Sequence, residues 1–315
     1  MLLSVVFSFR NEEENILELV RRVSSAVSGI EDLSYEMIFV NDDSTDRSLE
    51  LLLQLQRDFP ITIINMARRF GVTPCVLAGF ARARGDAVVY MDADLQDLPE
   101  LIPQMVEWFR DGAEVVHTTR TAREGESTFK MWVTRKAYRI IHYCADIDLP
   151  ENTGDFKLLS KKVIKIILDL SEYDPYLRGL TVWVGHRQEF VYYQRQPRFK
   201  GKTKFPLFGK GPAQEFIRGL TSFSAAPLYF SLFIGFATVA LSLSLLVYAF
   251  VIKFAGSSAS ETPSLFIAVA FLSGVGLITN GLIGIYVAKI FDALKGRPRY
   301  VIKDVIDPAN GEGPA

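Results

Sequence analysis

Cysteine and histidine are scarce in this chain of 315 residues: two of the first, Cys75 and Cys144, and three of the second. There is no Cys-x-x-Cys unit and no histidine at ligand spacing beside either thiol, so neither a disulfide framework nor a structural zinc site is indicated. A reducing compartment fits that usage. An excess of one charge is lacking too. Lysine and arginine number 35 against 36 acids, a formal net charge of −1, which argues against wholesale nucleic-acid binding. Glycine-rich phosphate cradles are also missing. No Gly-x-Gly-x-x-Gly occurs, and the Gly-Lys-Thr at 201–203 has Gln196 where a P-loop needs its first glycine, so hydride transfer and simple ATP chemistry fall in rank. The opening "MLLSVVFSFRNEEEN" has neither a basic leader nor a small-residue cleavage site, so no export signal is expected.

Charge is absent over two long stretches, between Arg218 and Lys253 and between Glu261 and Lys289. A helix needs roughly 20 apolar residues to cross a bilayer, so two spans are predicted, near 228–251 and 265–288. Lys200, Lys202, Lys204, Lys210 and Arg218 precede the first; Lys289, Lys295, Arg297, Arg299 and Lys303 follow the second; the connection carries only Lys253 and Glu261. That asymmetry places both ends in the cytoplasm of a multi-pass membrane protein. The chain therefore divides into a cytosolic domain at 1–194, a basic loop with interfacial helices at 195–226, the two-helix hairpin at 227–289, and a polar cytosolic tail at 290–315.

Before the hairpin, strand and helix alternate. "LLSVVFSF" (2–9), "YEMIFVND" (35–42), "ITIINMA" (61–67), "AVVYMDA" (87–93) and "AEVVHTT" (113–119) read as strands. Between them, Asn11 with Glu14 forms a capping-box pattern, Ser44, Thr45 or Asp46 can cap a second helix, a third lies near 72–84, and a fourth begins at Pro99 with Asp97 as its cap. Such alternation predicts an α/β fold, a mostly parallel sheet with helices on both faces, and ligands at the carboxyl ends of its strands.

Three of those ends are acidic: "FRNEEE", "NDDSTD" and "DADLQD". Asp92 and Asp94 stand two apart, so in strand geometry both face one cavity, where a hard divalent cation, Mg²⁺ or Mn²⁺, would relieve their repulsion. Gln96 can add a carbonyl oxygen. A cation of this kind keeps positions for substrate phosphates, which points to a nucleoside diphosphate held by the acids through the metal.

Together, "SVVFSFRNEEENI", "VNDDSTD", "NMARRFG", "MDADLQDLPE", "TGDFKLLSK" and "GRPRY" resemble the polyprenyl-phosphate glycosyltransferases, relatives of dolichol-phosphate-mannose synthase in glycosyltransferase family 2. The resemblance spans residues 2 to 303 and includes the two membrane spans of the bacterial glucosyltransferase branch. It implies a GT-A fold, a nucleotide sugar (UDP-glucose ahead of GDP-mannose) and a polyprenyl phosphate acceptor. By motif, Phe9, Asn11, Glu12, Glu13 and Asp42 would line the donor pocket, with Asp42 reaching the base. Asp92, Asp94 and Gln96 would meet the metal and donor phosphates. Arg120, Arg135, Arg198 and Lys204 would bind the acceptor phosphate. Asp155 matches the acid often assigned as the base, although a lipid phosphate is largely dianionic at neutral pH and needs positioning more than deprotonation. A homotetramer resembles that branch. Where the family reads Asn-Asp-Gly-Ser this chain has Asp43 for the glycine, and Asp tolerates a left-handed backbone. Two rivals are a processive polysaccharide synthase, whose Gln-x-x-Arg-Trp signature is absent, and a catalytically silent scaffold, which intact acids at all three strand ends argue against.

Overall fold

The computed structural model describes residues 1–123, 153–195, 219, 221–254 and 262–308. Its centre is β1 (Leu2–Phe9), which pairs in parallel with β2 (Ser34–Asn41) on one side and β4 (Ala87–Asp92) on the other. Beyond β2 lies β3 (Ile61–Met66), again parallel. All but the first residue of β1 are buried. Both faces of the strand are covered, which is why it reads as an apolar run without alternation.

Its side chains alternate between two cores. Leu3, Val5, Phe7 and Phe9 join Ile16, Leu19, Val20, Val23 and Val27 from α1 (Ile16–Ser28), whose spacing of three and four sets one apolar face to the sheet. On the opposite face Val6, Ile38, Val40 and Val88 meet Cys75, Val76 and Phe80 of α3 (Val72–Arg82) and Val163, Ile164 and Ile167 of α5 (Lys161–Asp169). Each fully buried side chain of this size contributes roughly 1.5–3 kcal/mol. The two layers fix the sheet's register and hence the common level of its strand ends.

Two helix starts differ from the sequence expectation. α1 begins at Ile16 after Asn15, and no side chain caps it; Asn11 and Glu13 turn their side chains to the next loop instead. Pro99–Leu101 form a single 3₁₀ turn before α4 (Ile102–Arg110), and Asp97 does not cap it. For α2 (Ser48–Leu55), Asp46 Oδ1 does accept the Ser48 N–H at 3.1 Å.

Among the described residues the sheet has eight strands, in the order β7-β5-β6-β4-β1-β2-β3-β8. β5 (Val115–Arg123) was expected; β6 (Thr153–Ser160), β7 (Gln188–Arg195) and β8 (Ile302–Ile306) were not. β6 runs antiparallel between β4 and β5, β7 pairs in parallel with β5, and β8 pairs antiparallel with β3. β6 was hidden because Asp155 and Lys157 interrupt its apolar pattern, and both find charged or polar partners inside the fold.

Two long helices complete the chain: α7 (Ala226–Phe254) and α8 (Thr262–Leu294). Both outrun the predicted spans. Ala226–Leu245 and Phe271–Leu294 have mean hydropathies of 1.9 and 1.7, and none of either segment is buried. Large apolar groups such as Phe233 at 69% and Leu277 at 74% exposure stand outward, an arrangement suited to lipid and costly in water.

After α8 the chain returns to the sheet, so residues 302–306, expected in a polar tail, form its outer strand. The Ala67 N–H donates to Val301 O at 2.9 Å and Asn65 Nδ2 to Asp304 Oδ1 at 2.6 Å. Arg82 grips Asp307 with both carboxylate oxygens within 2.8 Å.

Candidate active site

The parallel strands β1, β2 and β4 end side by side, with Ser8 opposite Asp92 and Phe9 opposite Asn41. Their following loops are tied together. Asn11 Oδ1 accepts the Thr45 N–H at 2.8 Å, the Glu12 N–H donates to Ser48 Oγ at 2.9 Å, and Glu13 Oε2 accepts the Arg47 N–H at 2.9 Å. Thus Asn11 and Glu13, exposed, and Glu12, buried, form one wall with residues 44–48.

Asp42 is buried and accepts N–H groups from Phe70 and Gly71, which anchors the loop after β3. Asp43 has φ of 58°, the left-handed turn that its position required. Phe9 is 3% exposed and packs edge-on against Phe39, so its side chain belongs to the core and not to a pocket wall; its carbonyl accepts the Asp42 N–H.

Beyond β4, exposure alternates. Asp92, Asp94 and Gln96 are half-buried, while Ala93, Leu95 and Asp97 are buried. The segment turns sharply: Leu95 has φ of 57°, a left-handed conformation that costs an apolar residue of order 1–3 kcal/mol and that its buried side chain helps to hold. The Gln96 N–H donates to Asp94 Oδ1 at 3.1 Å.

Asp97 points inward to a polar cluster. It accepts from the Tyr193 hydroxyl and from Arg120 Nη2 at 3.4 Å, and Arg120 Nε donates to the Tyr193 oxygen at 3.1 Å. Arg120, expected at the acceptor phosphate, is committed to this cluster with a side chain 10% exposed. Burial alone would lower its pKa, but Asp97 and Tyr193 raise it, so it stays charged. A Cβ at Gly154 would lie 2.8 Å from Arg120 Nη2; the glycine lets the guanidinium lie against the β6 backbone.

Asp155 is held by Arg178 from α6 (Leu177–Trp183), with Nε on Oδ1 at 2.7 Å and Nη2 on Oδ2. Burial would raise its pKa, yet Arg178 holds it down to about 2. Beneath it, Lys157 is 3% exposed and donates to Thr181 Oγ1 at 2.6 Å; burial brings its pKa down to about 7. Asp92 is pushed up to about 8, by burial first and then by Asp155, Asp94 and Asp97. The strand ends therefore concentrate negative charge that the nearby arginines only partly offset.

Among the described residues no three His, Cys, Asp or Glu side chains could hold a metal ion by themselves. Two carboxylates are nevertheless the usual protein share for Mg²⁺ or Mn²⁺, the rest coming from water and substrate phosphates, and Asp92 with Asp94 fits that donor set. Arg135, Arg198 and Lys204 lie outside the described residues. Sequence reasoning missed Arg178, Lys157 and Tyr193. Only the charge inside an otherwise apolar "TGDFKLLS" hinted that such partners existed.

A sheet of this order, with helices on both faces and acidic loops gathered where parallel strands end, is the GT-A architecture of a glycosyltransferase. Residues 4–168 match the family described as glycosyl transferase family 2. The chain is 37% identical over 307 residues to an uncharacterized glycosyltransferase of Synechocystis sp., covering 96% of this chain and 95% of that one. It is 33% identical over 308 residues to the bactoprenol glucosyl transferase of Shigella phage SfV, with 96% and 99% covered. Glucosyl-3-phosphoglycerate synthase from Mycobacterium tuberculosis, in complex with Mn²⁺, UDP-glucose and phosphoglyceric acid, superposes with a TM-score of 0.45 at 18% identity, over 64% of this chain and 72% of that one. The chain belongs to glycosyl transferase family 2, and it is a glycosyltransferase.

Proposed function

We propose that this chain is a membrane-bound, inverting hexosyltransferase that moves glucose from UDP-glucose to polyprenyl phosphate at the cytoplasmic face of the cell membrane. The observation that carries this reading is a shared body. The sheet whose β4 ends at Asp92 is completed by β8, downstream of two lipid-suited helices, so the chain that leaves the hairpin is tied back into the sheet that carries the acids. That β8 and the strands before α7 share one sheet supports a hairpin with both flanks on one side of the bilayer. The name of the Shigella phage relative supports the lipid and the sugar.

The catalytic unit comprises residues 1–194 with β8 added, followed by the basic loop at 195–226 and the hairpin at 227–289. Asn11, Glu12, Glu13 and Asp42 frame the nucleotide pocket, and Asp92 and Asp94, with Gln96, would hold Mg²⁺ or Mn²⁺. A cation bound there would neutralise the departing diphosphate. Arg120 braces the floor through Asp97. Arg135, Arg198 and Lys204 would engage the acceptor phosphate, since guanidinium forks match phosphate oxygens and lysine adds charge.

The reaction is a single in-line displacement. The bond from the anomeric carbon to the diphosphate oxygen breaks as a phosphate oxygen of the lipid bonds to that carbon, with inversion. Holding both substrates in one crevice supplies the orientation. The test is a screen of nucleotide sugars against one polyprenyl phosphate with mass detection. A glucosyl product from UDP-glucose is expected; no glycolipid from any donor would overturn the reading.

A further inference from the structure

Asp155, matched by motif to an acid often assigned as the base, is engaged on both carboxylate oxygens by one arginine. That arginine is Arg178, and the two side chains are exposed to similar degrees, 25% and 27%. A general base needs a lone pair directed at the proton it takes and a pKa near the working pH. A lipid phosphate with a second pKa near 6 has, at neutral pH, little proton left to give.

What Asp155 does hold is α6. Asp155 and Lys157 alternate on β6 and therefore share a face; the first clamps Arg178, and the second donates to Thr181, whose hydroxyl donates on to Arg178 O at 3.1 Å. The other side of α6 meets the segment that leads into the apolar hairpin. A Cβ at Gly179 would lie 2.2 Å from the Phe223 ring, and Tyr176 contacts the same ring edge-on at 6.4 Å. That segment is fixed in turn to the end of α8, since Tyr286 donates to Ser224 O at 2.8 Å and Lys289 Nζ to Ser222 Oγ at 3.3 Å. One short helix thus connects the acidic strand ends to the membrane-proximal turn, and it carries a guanidinium between them.

We propose that Asp155 is a positioning residue: it holds the Arg178 guanidinium where the acceptor's phosphate arrives, and the contact of Phe223 with Gly179 sets that guanidinium's place relative to the membrane. This rests on the lipid-phosphate reading given above. No proton is transferred in the step it serves. The lipid phosphate oxygen bonds to the anomeric carbon, the diphosphate leaves with the bonding pair, and Arg178 aligns the incoming anion.

The test is a double-mutant cycle on the detergent-solubilised full chain with D155N, R178Q and D155N/R178Q. Readouts are KM for polyprenyl phosphate, KM for UDP-glucose, acceptor-independent hydrolysis of UDP-glucose, and binding of a radiolabelled polyprenyl phosphate. Each single variant should raise the acceptor KM about tenfold or more, with donor KM and hydrolysis within about twofold, and the double should be no worse than the poorer single, as for residues acting as one unit. R178K should restore part of the loss. G179A, which alters no charge, should also raise the acceptor KM, and F223A in that background should relieve it.

Losses that multiply in the double, or a D155N loss confined to kcat with Arg178 variants unaffected, would overturn the positioning role. An absent rescue by F223A would overturn the membrane coupling. Wild-type binding of polyprenyl phosphate without transfer would overturn the proposed function while the binding comparison still judges Arg178; no wild-type binding would overturn both.

Discussion

Tyr193→Phe is the sharpest probe of the buried cluster below the acidic loop. The tyrosine is 5% exposed, and its hydroxyl donates to Asp97, itself fully buried, while accepting from Arg120 at 3.1 Å. The substitution removes one oxygen and creates almost no cavity, so the cost is that of hydrogen bonding. A bond to a charged group contributes about 1.5–3 kcal/mol. Arg120 still faces Asp97 after the change, so the loss stays below the 3–5 kcal/mol or so expected on orphaning a buried charge. About 2 kcal/mol is expected, which for a domain of this size lowers the apparent Tm by about 4–8 °C. Thermal unfolding of the purified protein, followed by circular dichroism, measures it. In an Asp97→Ala background the cost of the same substitution should change, because the bond to Asp97 has gone and only the one from Arg120 remains to be lost. A shift of less than about 1 °C in the first case, or an unchanged cost in the second, would refute the reasoning.

Other outcomes follow from the same geometry. Asp94→Ala should abolish transfer of labelled glucose, by more than about a hundredfold, while the melting curve moves little, because the side chain is only half-buried and accepts the Gln96 N–H at the loop surface. Thorough chelation should stop transfer and either Mg²⁺ or Mn²⁺ should restore it; turnover that persists would remove the metal assignment from Asp92 and Asp94. Acid should weaken the fold through His117, which burial and then Lys157 bring down to about 3. Gln188 Nε2 donates to Val182 O, so its Oε1 faces the ring and the imidazole proton sits on Nε2. Below the ordinary histidine pKa the unfolded chain takes up a proton that the folded one refuses. Stability is therefore full above about 6.5 and lost as pH falls, by roughly 1.4 kcal/mol per unit, and His117→Gln should flatten that slope in urea titrations between pH 6.5 and 5. Ending the chain after Gly296 should lower stability by about 3 kcal/mol or more, since the β8 ladder and the Arg82–Asp307 pair are lost, each hydrogen bond being worth about 0.5–1.5.

The central strands were legible because hydrophobic burial dictates them. β1 to β4 fall within a residue or two of the apolar runs in the sequence, and Asp43 adopts the turn its neighbours demand. Local patterns failed where tertiary partners decide. Asn11 and Glu14 look like a capping box, yet Asn11 bonds to Thr45 in the next loop. Asp97 looks like a cap, yet its partner Tyr193 is 96 residues away. Asp155 announced itself through its motif, but Arg178, 23 residues later on an undistinguished helix, had no signal of its own. β8 follows 33 residues of apolar helix, and nothing in "IKDVI" says that its partner is β3.

The closing strand has a consequence for how the protein is made. β8 follows the two apolar helices in the chain, so β3 carries an open edge throughout their synthesis. With those helices in a bilayer, their partitioning must precede the final strand addition, and insertion becomes the checkpoint at which the water-facing half is sealed. A nascent chain stalled before Ile302 would present that edge to other chains, as a template for mispairing.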